Sequence, residues 1–461
     1  MSRTYALPLG VLSFALALAC GGGGGGDGGS VIEEASALRE SPSVEVFEAS
    51  GYIAHAESNL PIHFSLAVPG FENVFDTDNT PADNPLTNEG AALGRVLFYD
   101  RNLSANRRVS CSSCHLQKHG FSDPDRFSRG FDGGRTDRHS PGLTQARYYE
   151  RGLFFWDERA NSLEEQVLQP IENEVEMGLT LDDLVVRLQD LPHYGTLFEE
   201  AFGSAEINVD RISKAMAQFI RSMVSYESKF DSAFSGNLEP DFASALTEEE
   251  LLGLDLFRGR TGVNGKAIRC DACHLSVAQV SRQPENIGLD IGLGDDGAGG
   301  GAFKAPSLRN VARRSPFMHD GRFDNLEKVI EHYNSGIQDH PDLNRFLRDE
   351  EGQPLRLQFT QEEKSSLVAF LRTLTDENFL TNPLFSNPFP RQQGRTDGDQ
   401  RGENDRENGD RRPIPNSDQG RPPQGPSNQN GGPPPERQPN SPPPGNPGPR
   451  RPSPDQEQDQ E

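Results

Sequence analysis

Two copies of the pattern Cys-x-x-Cys-His constrain this chain more than any other feature. They are Cys111-Ser-Ser-Cys114-His115 and Cys270-Asp-Ala-Cys273-His274. In this pattern the two thiols add to the vinyl groups of a haem, and the histidine binds its iron. The chain has only 5 Cys and 10 His, so two chance matches are very improbable. A zinc site of four cysteines is the alternative, but zinc needs no histidine after each pair. The motifs therefore predict two covalently bound c-type haems.

Residues 1–20 have the features of an export signal. Arg3 is its only positive charge, and its apolar stretch, Leu7 to Ala19, is too short to span a membrane. The stretch ends in a bacterial lipobox-like sequence at Cys20, which would be lipidated; an ordinary cleaved signal is the alternative. A glycine-rich tether and an N-terminal segment follow over 21–80. Because covalent haem attachment takes place outside the bacterial cytoplasm, we expect a periplasmic or cell-envelope protein. Its membrane contact would be through the lipid anchor alone.

The opposite end, 384–461, is rich in Pro, Gly, Asn, Gln and Asp and has almost no apolar residues. Such a segment cannot bury a core, so we predict a disordered tail. The net charge of −25 argues against a nucleic-acid partner, which requires a basic face. It would suit a basic soluble protein partner. Cys20 and the haem motifs account for every cysteine, so no disulfide is predicted.

The two haem motifs lie in similar surroundings. The pattern L-G-x-x-L-F occurs at 93–98 and at 252–257, and each copy ends 13 residues before the first cysteine of its motif. Downstream, W-D-E-R at 156–159 and H-D-G-R at 319–322 each precede a Leu-Glu pair at the same spacing. We therefore predict an internal duplication. The chain would be mostly α, with long loops and two cytochrome c-like haem domains over 81–230 and 231–383.

Three helices have clear sequence signals. Thr247 and Glu250 form a capping box for the second L-G-x-x-L-F copy. Thr180 caps a helix predicted over Thr180 to Leu191. An amphipathic helix is predicted from Asn208 to Tyr226, with one apolar stripe. Its two methionines are expected to pack in the core rather than bind iron.

In this arrangement the chain resembles the bacterial di-haem cytochrome c peroxidase family, which includes MauG. The resemblance covers roughly 84–380, and its most specific pieces are Gly152-Leu-Phe-Phe-Trp156-Asp-Glu-Arg159, Glu165-Gln166, Pro170-Ile171, Val175-Glu-Met-Gly178, Phe303-Lys-Ala-Pro-Ser-Leu-Arg-Asn310 and Pro316-Phe-Met-His-Asp-Gly321. It implies that His115 is the proximal ligand at the peroxide-binding haem and that the His274 haem relays electrons. It also implies that Trp156 carries electrons between the haems. A core aromatic is the alternative for Trp156.

The resemblance places two polar residues above the peroxide-binding iron. Glu176 matches an acidic residue there, and splitting peroxide requires a group that moves a proton between its oxygens. An apolar haem pocket would raise the pKa of this carboxyl group. Gln166 matches an amide that positions peroxide or water. The alternative for both is a polar residue at a helix end on a solvated face.

The sixth ligand of the second haem separates the branches of the family. The resemblance puts Met in the electron-storing peroxidases, and Tyr in MauG-like members, seven residues after the Leu of the Leu-Glu pair. Here this position is Tyr333. Met318 and His332 are the alternatives. A phenolate ligand stabilises ferric iron more than a thioether does, so Tyr333 would make this haem a poorer electron store.

Two further family features are altered. Phe131, in the loop 130–134, stands where many members have a histidine that blocks the resting peroxide haem; neither His119 nor His139 has the right surroundings. We therefore expect an open, five-coordinate haem. A calcium ion could lie between the domains, although His139 and Gln145 stand where an asparagine would be sought. Backbone oxygens near 304–306 could contribute to it.

Three functions follow as hypotheses. The first is a peroxidase that reduces hydrogen peroxide with electrons from a small cytochrome c or copper protein. The second is a MauG-like enzyme that uses peroxide to oxidise a residue of a partner protein. The third is a two-haem electron carrier with no catalytic role, which would have two six-coordinate haems and no need for Glu176 or Gln166.

Overall fold

The computed structural model describes residues 50–66, 71–234, 239–292 and 294–389. The predicted signal, the glycine-rich tether and residues 390–461 of the predicted tail lie outside these ranges, so those predictions stay open. The tail boundary at 384, however, is too early. Residues 384–389 are folded, and the ring of Phe385 is fully buried in the core. An apolar ring in this segment is what keeps it packed on the domain.

Short helices form the regular structure. The α-helices are α1 (Ile62–Ser65), α2 (Asn88–Tyr99), α3 (Cys111–Cys114), α4 (Leu163–Gln166), α5 (Gln169–Glu172), α6 (Leu181–Gln189), α7 (Pro192–Phe202), α8 (Val209–Arg221), α9 (Phe242–Ala245), α10 (Glu248–Phe257), α11 (Leu326–Glu331), α12 (Gln361–Arg372) and α13 (Glu377–Thr381). Two π-helical turns span Ala54–Ser58 and His332–Gly336. Single 3₁₀ turns span Phe75–Thr77, Arg101–Leu103, Gln117–His119, Ala146–Tyr148, Asp231–Phe234, Cys270–Ala272, Val311–Arg313, Arg345–Leu347 and Pro383–Phe385.

The prediction of a mostly helical chain with long loops is confirmed. In the described ranges no strand forms, and isolated β-bridges such as Phe154 with Ala160 occur within the loops. None of the helices described is long and apolar enough to cross a membrane.

Side-chain caps fix where the longer helices begin. The Thr180 hydroxyl accepts from the Asp183 N–H at 3.1 Å, and Thr247 and Glu250 form the predicted capping box. The helix predicted from Asn208 starts as expected but ends at Arg221 instead of Tyr226. Beyond Arg221 the backbone N–H groups bond elsewhere: that of Val224 donates to the Ser222 carbonyl at 2.9 Å, and that of Tyr226 donates to Asp376 at 3.0 Å. The six apolar residues of its predicted stripe, including both methionines, are buried.

Two helix pairs are built alike. α2 packs on α8 through Gly94, where an added Cβ would lie 2.0 Å from the Ala215 carbonyl oxygen. α10 packs on α12 through Gly253, where an added Cβ would lie 1.9 Å from the Ser366 carbonyl oxygen. Both glycines come from the L-G-x-x-L-F pattern. This shared close contact supports the predicted internal duplication, which stays a prediction.

The N-terminal described segment packs against the last folded residues. The Tyr52 hydroxyl donates to the Leu384 carbonyl at 3.1 Å. Beside it, Tyr99 donates to the Phe385 carbonyl at 2.7 Å, and Arg95 Nε donates to the Ser386 carbonyl at 2.6 Å. Residues near 52 and near 385 therefore meet on one side of the folded domain.

A buried ion cluster connects three distant parts of the chain. Asp231 accepts from both guanidinium ends of Arg309, at 2.5 and 2.9 Å, and lies 2.8 Å from His63 Nε2. Burial alone would raise the pKa of Asp231, but Arg309 and His63 reverse this and hold it far below its usual value. We call these three residues the Asp231 cluster. It fixes the N-terminal segment and the second half of the chain to each other.

Candidate active site

The first Cys-x-x-Cys-His motif is a single helical turn, α3. Ser110 caps it, and Ser113 returns a bond to the Ser110 N–H at 3.0 Å. Both cysteines are half-buried free thiols, and burial raises the pKa of each to about 12. The Nδ1 of His115 donates to the Phe121 carbonyl at 2.8 Å. This bond leaves Nε2 as the nitrogen available to a metal.

The second motif begins with a 3₁₀ turn, Cys270–Ala272. Its cysteines are also half-buried free thiols, with the pKa raised by burial to about 12 at Cys270 and about 11 at Cys273. Burial lowers the pKa of His274 to about 4, so its imidazole is neutral. Its Nδ1 is buried without a hydrogen-bond partner. Neutral imidazole is the form that binds iron.

These two donor sets fit covalently held haems. Each offers two free thiols next to one half-buried imidazole whose pKa is lowered by desolvation, and each imidazole borders a cavity. No group of three or more His, Cys, Asp or Glu in the described ranges is arranged to hold a bare metal ion. The arrangement therefore favours haem over the four-cysteine zinc site at these positions.

The first cavity has a volume of about 500 Å³ and is bordered by His115. Glu176, Gln166 and Trp156 border it as well. A volume in the range of about 300–1,000 Å³ is typical of ligand and cofactor sites. The structure thus brings together the four residues that the sequence assigned to peroxide chemistry.

Glu176 has the electrostatic setting expected of a proton carrier. Burial raises the pKa of its carboxyl group, and the nearby positive charge of Arg159 partly opposes the rise. Two backbone contacts fix its place on the chain: its N–H donates to the Asn173 carbonyl at 3.1 Å, and its carbonyl accepts from Phe131 at 3.0 Å. The carboxyl group therefore holds a proton more tightly than a solvated glutamate does.

The loop 130–134 lies against the segment that carries Glu176. Gly130 is required there, because an added Cβ would lie 1.5 Å from the Val175 carbonyl oxygen. The Phe131 ring packs on Gly178, which has φ +63° and where an added Cβ would lie 2.4 Å from that ring. Phe131 is not among the residues that border the first cavity. Its apolar ring cannot bind iron, which supports the predicted open haem.

The second cavity has a volume of about 210 Å³ and is bordered by Cys270, Cys273 and His274. Both Tyr333 and Met318 border it. Tyr333 lies on a π-helical turn, a rare feature that is frequent at functional sites. His332 is bonded elsewhere, with its Nε2 2.9 Å from the Ile287 carbonyl. This contact argues against His332 as the ligand.

Trp156 borders both cavities. Its Nε1 donates to the His139 carbonyl at 2.7 Å, and its own carbonyl accepts from the Lys304 N–H at 2.8 Å. Bonds to both halves of the chain thus hold the indole between the two cavities. This position is the one that an electron relay requires, whereas a core aromatic would be enclosed by other side chains.

Lys304 and Arg314 are site residues that the sequence analysis missed. Lys304 borders both cavities, and burial lowers its pKa to about 7. Its ammonium group lies 4.2 Å from the ring centre of Tyr149 and 4.4 Å from that of Phe154. Arg314 borders the second cavity, and its Nε is buried without a partner. Lys304 lies in the motif at 303–310, but neither its sequence setting nor that of Arg314 assigns a role to the side chain.

The residues considered for calcium have other bonds. Gln145 donates from its amide to the Ser225 carbonyl at 2.8 Å. His139 is buried, and its Nε2 lies 3.1 Å from the Ser122 hydroxyl. The Ala305 carbonyl accepts from Ser281 at 3.2 Å. Calcium binding therefore stays a prediction.

Comparison with known proteins identifies the kind of site. Residues 88–239 match the family described as di-haem cytochrome c peroxidase. The methylamine utilization protein MauG of Methylorubrum extorquens is 37% identical over 307 residues, which cover 64% of this chain and 81% of that protein. The cytochrome c551 peroxidase of Nitrosomonas europaea is 32% identical over 322 residues, which cover 68% and 89%.

Solved structures share the fold. A MauG-like protein associated with microbial copper homeostasis superposes with a TM-score of 0.58 at 32% identity, over 70% of this chain and 99% of that one. The diheme peroxidase BthA of Burkholderia thailandensis E264 superposes with a TM-score of 0.54 at 24% identity, over 66% of this chain and 91% of that one.

Proposed function

This chain belongs to the di-haem cytochrome c peroxidase and MauG family, and from this premise we propose that it reduces hydrogen peroxide to water. The electrons would come from an external donor, a small cytochrome c or a copper protein. The observation that carries the proposal is Glu176: a buried carboxyl group with a raised pKa borders the same cavity as His115. A plain electron carrier has no use for such a group.

Each site residue has a separate task in this reaction. The haem on His115 would supply the electrons that break the peroxide O–O bond. Glu176 would accept the proton of the inner peroxide oxygen and return it to the outer one, so that water can leave. Gln166 would orient peroxide through its amide. Trp156 would conduct electrons from the side of the second cavity, where His274 and Tyr333 lie.

Replacement of Glu176 tests the proposal. In Glu176→Gln, steady-state turnover of peroxide with reduced cytochrome c should fall by about 10²–10⁴-fold, the usual contribution of a positioned acid or base. A haem assay should still find two covalent haems per chain. Glu174→Gln is the matched control, because Glu174 is exposed and does not border the cavity. Unchanged turnover in Glu176→Gln would exclude the role assigned to this residue.

The second candidate function is that of a MauG-like enzyme, which uses peroxide to oxidise a residue of a partner protein. It is favoured by Tyr333 at the second cavity and by Phe131 in the loop at the first. If peroxide changes the haem spectrum persistently while every reduced cytochrome c or copper protein fails as a donor, this candidate replaces the first. Steady turnover with such a donor supports the peroxidase.

We also propose that the protein is located in the periplasm or the cell envelope. It rests on the export signal and on covalent haem attachment, both inferred from the sequence. Fractionation of cells that produce the full chain, followed by a haem stain, checks it. Haem-stained protein in the cytoplasmic fraction alone would contradict it.

A further inference from the structure

Two adjacent tyrosines have hydroxyl groups in opposite settings. The Tyr149 hydroxyl donates to Oε1 of Glu158, whereas the Tyr148 hydroxyl is buried without a hydrogen-bond partner. Both rings are almost fully buried. A phenol that loses an electron also releases its proton, so a bonded carboxylate makes oxidation far easier than an unpartnered burial site does. Of the pair, only Tyr149 has a proton acceptor in contact.

The acceptor is held in place by its surroundings. Glu158 has φ +54°, a conformation that side-chain-bearing residues rarely adopt and that persists only where contacts enforce it. Its side chain is 6% exposed and pairs with Arg151 at 2.9 Å, while the Arg151 side chain is 46% exposed. The carboxylate thus lies between the buried phenol and a solvated guanidinium group. A proton received from Tyr149 would have a short way to solvent.

Tyr149 and the proposed electron relay Trp156 both line the first cavity. Lys304 connects the two: its ammonium group lies 4.2 Å from the Tyr149 ring centre, and its N–H donates to the Trp156 carbonyl at 2.8 Å. Since burial lowers the pKa of Lys304 to about 7, this amine can lose its charge and need not oppose oxidation of the ring.

We propose that Tyr149 is a redox-active residue, with Glu158 as its proton acceptor. The step rests on the proposed function, because peroxide, which takes two electrons and two protons on reduction to water, would take one electron from the haem held by His115 and the other from Trp156. Tyr149 then gives one electron to the oxidised Trp156, and its O–H proton moves to Glu158 Oε1. The products are neutral Trp156, a neutral Tyr149 radical and a protonated Glu158. An oxidising equivalent thereby moves from Trp156 to Tyr149, whose hydroxyl group is bonded to the Glu158 carboxylate that pairs with Arg151.

Electron paramagnetic resonance on the full chain with both haems tests this step. Samples are frozen at short times after one equivalent of hydrogen peroxide, and optical spectra of the haems are recorded in parallel. We expect a tyrosyl signal whose hyperfine pattern narrows when the protein contains ring-deuterated tyrosine. The signal should be lost in Tyr149→Phe and in Glu158→Gln. It should persist in Tyr148→Phe, the matched control.

The outcomes separate this step from the proposed function. A haem optical response to peroxide without any deuterium-sensitive radical would overturn the inference alone, as would a signal that survives in Tyr149→Phe. Absence of any haem response to peroxide would overturn the proposed function and this inference together. A signal that disappears equally in Tyr148→Phe would also contradict the assignment, because that hydroxyl has no acceptor.

Discussion

At the scale of one residue, the raised pKa of Glu176 predicts how the reaction with peroxide depends on pH. Burial raises this pKa, and the deprotonated carboxylate is the form that accepts a proton from peroxide. The rate constant for the reaction with peroxide should therefore increase with pH, with a midpoint above the usual glutamate value of about 4.3. Stopped-flow measurements across the acid range check this. A flat profile from acid to neutral pH would contradict it, and Glu176→Gln should lack this midpoint.

Arg159 supplies a second test of the same group. Its charge lowers the pKa of Glu176, so Arg159→Gln should move the midpoint to higher pH. The Arg159 side chain is 45% exposed, and exposed pairs contribute about 0.2–1 kcal/mol. The expected shift is therefore upward and small. A shift to lower pH would show that Arg159 acts on another group.

The ligand of the second haem can be assigned by two substitutions. Tyr333 and Met318 both border the second cavity, and we expect Tyr333 to bind the iron. Tyr333→Phe should then change the absorption and magnetic spectra of the second haem alone. Met318→Leu should leave them unchanged. The reverse pattern would assign the ligand to Met318.

Site residues could be predicted from the sequence where a short motif contains the residues that act together. The motifs identified both cysteine pairs and both histidines, and the resemblance placed Glu176 and Gln166 on one cavity. It missed Lys304, whose importance depends on two cavities that meet only in the fold. It also missed the contact between Tyr149 and Glu158, since a positive φ at a glutamate has no sequence signal.

Among the helices, the close pairs depend on glycine at one position each. Gly253→Ala places a methyl group 1.9 Å from the Ser366 carbonyl oxygen, so α10 and α12 must separate. We expect a loss of about 1–3 kcal/mol in the free energy of unfolding, as for other overpacked sites. Chemical denaturation of the haem-loaded protein measures it.

Gly195 is the matched control within another helix. On α7 an added Cβ would meet only the Ala205 methyl group, at 4.0 Å. Gly195→Ala should therefore stabilise the protein slightly, by up to about 1 kcal/mol, because alanine is the better helix former. If both substitutions had the same effect, close helix contact could not be the reason for Gly253.

Helix starts were predictable and helix ends less so. The capping residues Thr180 and Thr247 act through bonds within one turn, which the sequence encodes directly. Beyond the end of α8 at Arg221 the backbone turns to partners distant in sequence, and Asp376 accepts from the Tyr226 N–H. Periodicity alone therefore extended this helix by five residues too many.

For the whole molecule, the Asp231 cluster is the main buried ionic contact between distant segments. Asp231→Asn would leave Arg309 buried without its counter-charge, which typically costs about 3–5 kcal/mol. Because the pKa of Asp231 is lowered in the folded protein, its contribution is present above the unfolded value of about 4. It should be lost as pH falls below that value. Thermal unfolding of the unchanged protein and of Asp231→Asn across this pH range measures the difference in their stability.

The surface pair Asp324 and Lys328 gives the comparison. Both side chains are more than half exposed, and such pairs contribute little. Asp324→Asn should leave the unfolding temperature and its pH dependence unchanged. An equal effect of both substitutions would mean that net charge, and not the buried cluster, governs acid stability.

The contact between Tyr52 and Leu384 determines how the folded domain would bear tension. The segments before residue 50 and after residue 389 leave from neighbouring points, because Tyr52 and Arg95 hold residues 384–386. A force that pulls these two segments apart would act first on the hydrogen bonds of Tyr52 and Arg95 to residues 384–386. The load path would bypass Trp156 and the cavity walls. If the chain were held at one end and pulled at the other, the contact of Tyr52 and Arg95 with residues 384–386 would thus break before Trp156 moved relative to the two cavities.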